Sequence, residues 1–212
     1  MAQANAVPMN VPPDEASLVE RCQRGDLEAF NCLVLAYQDR VYNLCLRMLG
    51  SPQSAEDATQ EAFLSAYRSL GRLRGAAVRP WLFRIASNAC IDELRRMRRR
   101  PQVSLDMPAA DAGRAQSWDP PDPGEGPEPL AMRGELRAAL EQELLRLHPD
   151  QRLAILLCDV EGLSYEEIAA SMGSSVGTVK SRISRGRARL RESLRALPEL
   201  FGDPVRPTDK GR

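Results

Sequence analysis

The stretch Leu163–Arg191, which reads LSYEEIAASMGSSVGTVKSRISRGRARLR, decides the fold of the second half of the chain. Ser164 with Glu167 has the form of a capping box, which marks the start of a short helix. Gly173 gives the backbone freedom that a helix stop requires, and Ser174 can cap a second helix. The inner face of that second helix is apolar at helical spacing: Val176, Val179, Ile183, Leu190 and Leu194. Two helices around a sharp turn predict a helix-turn-helix, whose second helix enters the major groove of DNA.

The outward side of the second predicted helix is basic and rich in hydroxyl groups. Lysine and arginine neutralise phosphates, while serine and threonine reach phosphates or base edges. The residues with this character are Thr178, Lys180, Ser181, Arg182, Ser184, Arg185, Arg187, Arg189 and Arg191. A solvated basic helix on an ordinary bundle is the alternative interpretation. Small and basic side chains beside a turn of the right spacing favour DNA binding.

The chain has 212 residues, enough for one large or two small domains, and its formal net charge is zero. The charge is unevenly distributed, since residues 68–100 and 180–195 are strongly basic and the stretch between them is acidic. No run of about 18 apolar residues predicts a transmembrane helix, and the first residues lack the features of a signal peptide. Five cysteines without a signal peptide fit the reducing cytoplasm, where we expect the protein to be located.

The cysteines and the single histidine do not have the spacing of a metal site. Cys22, Cys32, Cys45, Cys90 and Cys158 contain no CxxC pair, and most of them are expected to pack as small apolar residues. A zinc site requires more than His148 alone. There is no phosphate-cradling Gly-rich loop and no nucleophile with a base beside it. We therefore expect no metal, no cofactor, no small-molecule substrate and no enzymatic activity.

Helical periodicity runs through the first part of the chain. Residues 1–13 are expected to be disordered. Asp14 and Asp26 are expected to cap the first two helices, which stop at Gly25 and Gly50.

The third predicted helix starts near Pro52 and Ser54. Its apolar side is Ala55, Ala58, Ala62, Phe63 and Tyr67, and its first turns carry Glu56, Asp57, Gln60 and Glu61. Carboxylates at that position complement the helix dipole, so a solvated helix start is one interpretation. An acidic docking surface for a basic protein partner is the other.

The next segment, GRLRGAAVRPWLFRIASNACIDELRRMRRRP (residues 71–101), is basic. Pro80 suits the first turn of a helix with Trp81 on its buried side. Arginines interleaved with Trp81, Phe83 and Asn88 suit a surface that follows a single strand of nucleic acid and holds a flipped base. A basic helix with Trp81 in the core is the plainer alternative.

The second half of the chain begins after residues 101–129, whose Pro, Gly and acidic residues predict a flexible linker. One helix is then expected to end at His148, and the next to stop at Gly162 after burying Leu153, Ile155, Leu156, Leu157 and Val160. No strand pattern occurs, so the predicted fold class is all-α. Two helical domains are expected at 14–100 and 130–197, with the helix-turn-helix in the second and a polar tail at 198–212.

Three segments together resemble one known family. AEDATQEAFLSAYRSL, PWLFRIASNACIDELRR and the helix-turn-helix stretch, in this order around a linker, are similar to group 4 (extracytoplasmic function, ECF) bacterial sigma factors. The resemblance covers residues 14–100 and 130–197. It departs from the family pattern in the short loop RGAAVRPW, where Leu73 and Val78 replace residues that are aromatic in many relatives.

The resemblance implies a promoter-specificity subunit that binds core RNA polymerase through the β′ clamp helices and the β flap, and that helps to melt the −10 region. It implies that Glu56, Asp57, Gln60 and Glu61 contact the polymerase. It assigns the −10 element to Leu73, Arg74, Arg79, Arg84, Asn88 and Arg95. It implies that −35 bases are contacted by Lys180, Ser181, Ser184 and Arg185, and that phosphates are contacted by Thr178, Arg182 and Arg187. It also implies an anti-sigma factor, often anchored in the inner membrane.

Two other classes of protein fit the sequence less well. A helix-turn-helix activator or repressor would use residues 14–100 as a regulatory domain, but that segment lacks a pocket signature and carries a second basic surface. An enzyme acting on nucleic acid would need the catalytic groups that the sequence does not supply.

Overall fold

The computed structural model describes residues 15–73, 77–99 and 127–196, with the backbone alone for Arg72 and residues 127–133. Every regular element in these ranges is helical, which confirms the all-α prediction. The N-terminus 1–13, Asp14, Arg74, the tail and all but the last three residues of the predicted linker lie outside the described residues.

The N-terminal domain contains four α-helices: α1 (Glu15–Gln23), α2 (Leu27–Leu49), α3 (Pro52–Ser69) and α4 (Val78–Arg99). A 3₁₀ turn, Leu70–Arg72, follows α3. The side chain of Asp26 accepts a hydrogen bond from the Ala29 N–H, and Gly50 ends α2 with a φ of 73°. Both helix boundaries were predicted.

The helices α2, α3 and α4 enclose the core of this domain. Tyr37, Met48 and Phe83 are fully buried there. The buried face of α3 consists of small side chains, Ala55, Ala58, Ala62 and Ala66, which let α3 pack closely on its neighbours. Tyr67 lies on the predicted apolar side, where its ring meets that of Phe30, although it remains 53% exposed. Ser51 caps α3, because the Ser51 Oγ accepts a hydrogen bond from the Ser54 N–H.

The C-terminal domain contains α5 (Pro127–Arg146), α6 (Pro149–Ile155), α7 (Tyr165–Met172) and α8 (Val176–Arg195). The helix α6 continues as a π turn, Leu156–Val160. Val160 is 45% exposed, so the prediction that it is buried was wrong. The wider π turn inserts a residue, which rotates the side chains that follow it.

The helix-turn-helix is formed by α7 and α8. The predicted capping box of Ser164 and Glu167 is present, and Gly173 has a φ of 57°. The cap of α8 is Ser175, whose Oγ accepts a hydrogen bond from the Thr178 N–H. The prediction of Ser174 as this cap was wrong by one residue, since α8 begins at Val176.

The two domains pack against each other, which the sequence did not predict. The helix α7 lies against α4, and α5 and α6 lie against α2. The chain is therefore folded back on itself in this structure, with residues of both domains in one continuous core.

The cysteines are free thiols. Cys22, Cys45 and Cys90 are buried, as expected of small apolar residues, whereas Cys32 is exposed and Cys158 is half-buried. Burial raises the pKa of the Cys22 thiol, which keeps it protonated.

Candidate nucleic-acid interface and docking surface

The predicted −35 residues all lie on α8, the second helix of the helix-turn-helix. Thr178, Lys180, Ser184, Arg185 and Arg187 are exposed, whereas Ser181 and Arg182 are half-buried. The buried side of α8 is formed by Val179, Ile183, Gly186 and Leu190. The opposite side of the helix is thus free to enter a DNA groove.

Two arginines of α8 are held by acidic residues of α6 and of the π turn that follows it. The Arg182 Nη2 lies 2.6 Å from the Asp150 Oδ2, and the Arg187 Nε lies 3.0 Å from the Asp159 Oδ2. The hydrogen bond to Asp159 raises the pKa of Arg187, which remains charged. These pairs restrict the guanidinium groups to one region of space.

A third contact fixes the start of the same surface. The Lys180 Nζ lies 5.8 Å from the centre of the Tyr165 ring, a cation–π arrangement between α8 and α7. Sequence patterns did not single out Tyr165, Asp150 or Asp159, because their partners come from other elements.

The predicted −10 residues are distributed differently. Arg84, Asn88 and Arg95 are exposed on α4 and recur at helical spacing, so they share one side of the helix. The Arg95 Nη1 lies 3.1 Å from the Asp92 Oδ1, but both side chains are well exposed, so this pair is weak.

Three residues around the start of α4 are less available to DNA. Leu73 is only 6% exposed and Val78 only 1%, so the predicted contact of Leu73 with DNA is not compatible with its position in the core. The Leu73 carbonyl oxygen instead accepts a hydrogen bond from the Gln23 Nε2 at 2.7 Å. The Arg79 Nη2 donates to the Gly162 carbonyl oxygen of the C-terminal domain at 3.3 Å. Trp81 is half-buried against the core, which agrees with its predicted packing.

The predicted acidic surface is present on α3. Glu56, Asp57, Gln60 and Glu61 are all exposed. The Glu61 Oε1 lies 3.9 Å from the Arg68 Nη1, with both side chains more than half exposed. Such a pair leaves the carboxylates available to a partner.

An apolar groove between α2 and α3 adjoins this acidic surface. Its volume is about 630 Å³, and its lining residues are Leu27, Phe30, Asn31, Val34, Gln38, Thr59, Gln60, Phe63, Leu64 and Tyr67. The rings of Phe30 and Tyr67 meet edge to face with their centres 5.1 Å apart. Gln60 belongs to both the groove and the acidic surface, so the two form one continuous face.

This apolar groove was not predicted from the sequence. The sequence did contain one sign of the groove, because the apolar residues of α2 and α3 form a stripe that is too wide to be buried on one face. Leu27 and Leu64 remain 56% and 51% exposed in the folded chain. Exposed apolar side chains that cluster in this way mark interaction sites.

Within the described residues, no group of three or more His, Cys, Asp or Glu side chains is placed to hold a metal ion. In the same ranges, no helix combines the length and apolarity that crossing a membrane requires.

Comparison with known proteins identifies the family. Residues 33–100 match the family description sigma-70 region 2, and residues 137–190 match sigma-70, region 4. The RNA polymerase sigma-H factor of Pseudomonas aeruginosa is 43% identical over 86% of this chain and 95% of its own length. The chain belongs to the ECF sigma factors of the sigma-70 family. It therefore directs RNA polymerase to promoters.

Other ECF sigma factors show the same extent of similarity. The ECF sigma-E factor of Escherichia coli is 42% identical over 85% of this chain and 94% of its own length. Among solved structures, CnrH in complex with the cytosolic domain of CnrY has a TM-score of 0.62 at 27% identity, covering 86% of this chain and 97% of that one. The RpoE sigma factor of Bartonella quintana, solved with the anti-sigma factor NepR, has a TM-score of 0.60 at 26% identity over 78% of this chain and 96% of that one.

Proposed function

We propose that this ECF sigma factor uses three separate surfaces for its three tasks. The acidic surface and apolar groove of α2 and α3 bind core RNA polymerase at the clamp helices. The exposed side of α4 contacts the −10 element, and the outward side of α8 contacts the −35 element. The observation that supports this assignment is that the exposed side chains differ in chemistry from one surface to the next. Each surface therefore suits a different partner.

The −35 surface combines base contacts with fixed phosphate contacts. Lys180, Ser181, Ser184 and Arg185 are the proposed base-reading residues. Thr178, Arg182 and Arg187 are proposed to contact phosphates, with the last two positioned by Asp150 and Asp159. A pre-positioned guanidinium loses less conformational entropy when it meets a phosphate.

The −10 surface suits separated strands. Arg84 and Arg95 supply positive charge along α4, and Asn88 supplies a donor and an acceptor for the edge of a base. Single-stranded DNA tracks basic grooves in this way, while unpaired bases enter pockets. Melting is thus driven by binding energy, and RNA polymerase performs the chemistry. The sigma factor itself catalyses no reaction.

An anti-sigma factor is the proposed regulator. The RpoE sigma factor of Bartonella quintana was solved with the anti-sigma factor NepR, and CnrH was solved with the cytosolic domain of CnrY. The apolar groove of α2 and α3 offers such a partner the face that polymerase requires, so the two would compete. We place the protein in the cytoplasm, because the polymerase and the chromosome are there. An anti-sigma factor in the inner membrane would hold it at that surface.

The proposal is tested by mixing the purified protein with bacterial core RNA polymerase and following co-elution and transcription. A stable complex is expected, with promoter-dependent transcripts. DNA binding without affinity for core polymerase would instead support a plain helix-turn-helix regulator.

A matched pair of variants tests the polymerase surface. We expect Leu64→Glu to weaken binding of core polymerase roughly tenfold, because it puts a charge into the apolar groove. Leu35→Glu is the control, since Leu35 lies on α2 outside the groove lining and is already 67% exposed. The affinity of each variant for core polymerase is measured by fluorescence anisotropy. Equal affinities of the two variants would contradict the assignment of the groove.

A further inference from the structure

Two buried thiol groups face each other in the core of the N-terminal domain. Cys45 lies near the end of α2, and Cys90 lies in the middle of α4. The Cys90 thiol donates a hydrogen bond to the Cys45 sulfur, and the two Sγ atoms are 3.5 Å apart. Both residues are fully buried. The packing of α2 on α4 thus brings together two cysteines that are 45 positions apart in the chain.

The separation of these sulfur atoms is close to the one that a disulfide requires. The two sulfur atoms of a disulfide lie about 2.05 Å apart. Starting from 3.5 Å, the Cys45 and Cys90 sulfur atoms must approach each other by about 1.5 Å. Rotation of the two side chains and a small shift of the helices supply a movement of this size. The fold therefore places the two thiols where oxidation can join them.

The two thiols differ in acidity. The hydrogen bond from Cys90 lowers the pKa of Cys45, and the hydroxyl group of Thr59 on α3 acts in the same direction, although burial opposes both. The same contact with Cys45 raises the pKa of Cys90, and burial raises it further. The thiolate is the form of cysteine that attacks oxidants. Cys45 is therefore the thiol that reacts first, and Cys90 is the neighbour that completes the disulfide.

Thr59 connects this pair of thiols with the surface of the domain. It is half-buried, and it lines the apolar groove between α2 and α3. Its hydroxyl group donates a hydrogen bond to the Ala55 carbonyl oxygen at 2.7 Å and also acts on the Cys45 thiol. One side chain is thus shared by the groove and the surroundings of Cys45. A local opening at the groove admits an oxidant as small as hydrogen peroxide without unfolding the domain.

A bond between Cys45 and Cys90 would act on the surfaces that the domain presents to its partners. Helix α4 carries the proposed −10 residues Arg84, Asn88 and Arg95, and Cys90 follows Asn88 by two positions. The polymerase surface lies instead on α2 and α3. A close-packed core cannot absorb an approach of about 1.5 Å between α2 and α4 without moving one of them. The disulfide therefore changes the position of the −10 surface relative to the polymerase surface.

We propose that Cys45 and Cys90 form an oxidation site at which a peroxide converts the two thiols into a disulfide between α2 and α4, and that this bond weakens the contact of α4 with the −10 element. The first part rests on the geometry of the two thiols, and the second rests on the proposed function of α4. Disulfides in cytosolic proteins are usually transient and serve redox sensing. The reduced pair is the active form in this proposal.

The reaction consumes one molecule of peroxide for each disulfide. The Cys45 thiolate attacks one oxygen atom of hydrogen peroxide and breaks the O–O bond, which leaves a sulfenic acid on Cys45 and a hydroxide ion. That hydroxide takes up the proton that Cys45 released and becomes water. The Cys90 sulfur then attacks the sulfur of the sulfenic acid, forms the S–S bond and displaces a second hydroxide, which takes the Cys90 proton. Two thiols thus lose two electrons and two protons, and peroxide is reduced to two molecules of water.

The test treats the full chain with hydrogen peroxide, blocks the remaining thiols with iodoacetamide and digests the protein without reduction. Mass spectrometry is expected to find a peptide pair joined through Cys45 and Cys90 in monomeric protein, and dithiothreitol is expected to remove it. Fluorescence anisotropy then measures the affinity for a short single-stranded oligonucleotide of mixed sequence. We expect peroxide to lower that affinity roughly threefold and dithiothreitol to restore it.

Two variants separate this site from other effects of peroxide. Cys90→Ala removes the second thiol, so its oligonucleotide affinity is expected to fall much less after the same treatment. If Cys90→Ala does not fold, Cys45→Ala removes the pair from the other side. Cys32→Ser is the matched control, because Cys32 is an exposed thiol on the same helix as Cys45. It is expected to keep both the disulfide and the loss of affinity.

The proposal is overturned if peroxide oxidises the exposed Cys32 while Cys45 and Cys90 stay unlinked. It is equally overturned if the disulfide forms and the oligonucleotide affinity does not change, or if Cys90→Ala loses as much affinity as the wild-type chain. Binding of core polymerase and of the oligonucleotide by the reduced protein is measured first. A failure of the proposed function would appear in that reduced protein, before any peroxide is added.

Discussion

Arg152 shows how one charged side chain can stabilise a largely apolar interface. It is only 6% exposed, and burial lowers its pKa. Its guanidinium donates to the carbonyl oxygens of Met48, Leu145 and Leu147, at the C-terminal ends of α2 and α5. Terminal carbonyl groups have no partner within their own helix and carry a partial negative charge. A buried cation is favourable there because it serves two helix ends from different domains.

We expect Arg152→Met to lower the free energy of unfolding by about 3 kcal/mol, because it leaves three carbonyl groups without their donor. Arg95→Met is the matched control, since the Arg95 side chain is 64% exposed and that of its partner Asp92 is 72% exposed. That change should cost less than about 0.5 kcal/mol. Urea denaturation of both variants measures the difference. A similar loss at both positions would show that the buried guanidinium has no special role.

Glu161 makes the packing of the two domains sensitive to pH. Its burial raises its pKa above the ordinary value of 4.5, although Arg40, Arg47 and Arg79 all act in the opposite direction. When the two domains separate, the carboxyl group returns to water and its pKa falls back. The chain with packed domains therefore binds the proton more tightly than the chain with separated domains does.

Acidification from neutral pH toward 4.5 is accordingly expected to increase the fraction of chains in which the two domains are packed together. The distance between spin labels on Cys32 of α2 and on a cysteine introduced by Glu192→Cys on α8, recorded as a function of pH, measures this fraction. Glu161→Gln removes the titrating group, and the packed fraction should then be constant across the same range. An unchanged pH response in Glu161→Gln would assign the effect to another group.

At the scale of elements, the π turn Leu156–Val160 explains both an error of sequence reading and a feature of the interface. A regular helical period places Val160 on the buried side, but the inserted residue turns it to solvent. The same change turns Glu161 inward toward Arg40 and places Asp159 beside Arg187. Hydrophobic periodicity cannot detect this element, because the sequence around it fits an ordinary helix equally well.

The start of α8 allows a test with two adjacent serines. Ser175→Ala should lower the free energy of unfolding by about 1 kcal/mol, because Ser175 caps the helix. Ser174→Ala should be neutral or slightly stabilising, since the Ser174 Oγ is buried and makes no hydrogen bond. Thermal unfolding of the two variants measures the order. The reverse order would support the cap that the sequence predicted.

At the scale of the whole molecule, the sequence predicts features that depend on neighbouring residues better than it predicts contacts between residues far apart in the chain. Helix caps such as Asp26 and the Ser164–Glu167 box were predictable, because donor and acceptor lie a few residues apart. The exposed residues of α8 followed from periodicity. The Arg40–Glu161 pair was not predictable, since both side chains look like ordinary surface charges and their encounter depends on the packing of two domains. The apolar groove also needed the structure, because its two walls come from different helices.

The measurement that tests the central claim most directly is transcription in vitro from genomic fragments of the source bacterium, using core RNA polymerase with and without this protein. We predict discrete start sites that require the protein and that share one −35 and one −10 sequence at a fixed spacing. Arg185→Ala should reduce the free energy of discrimination between bases at one position of the −35 element by about 1–3 kcal/mol. The start sites should otherwise be retained. Transcripts that do not depend on the protein, or DNA binding without any association with core polymerase, would contradict the account.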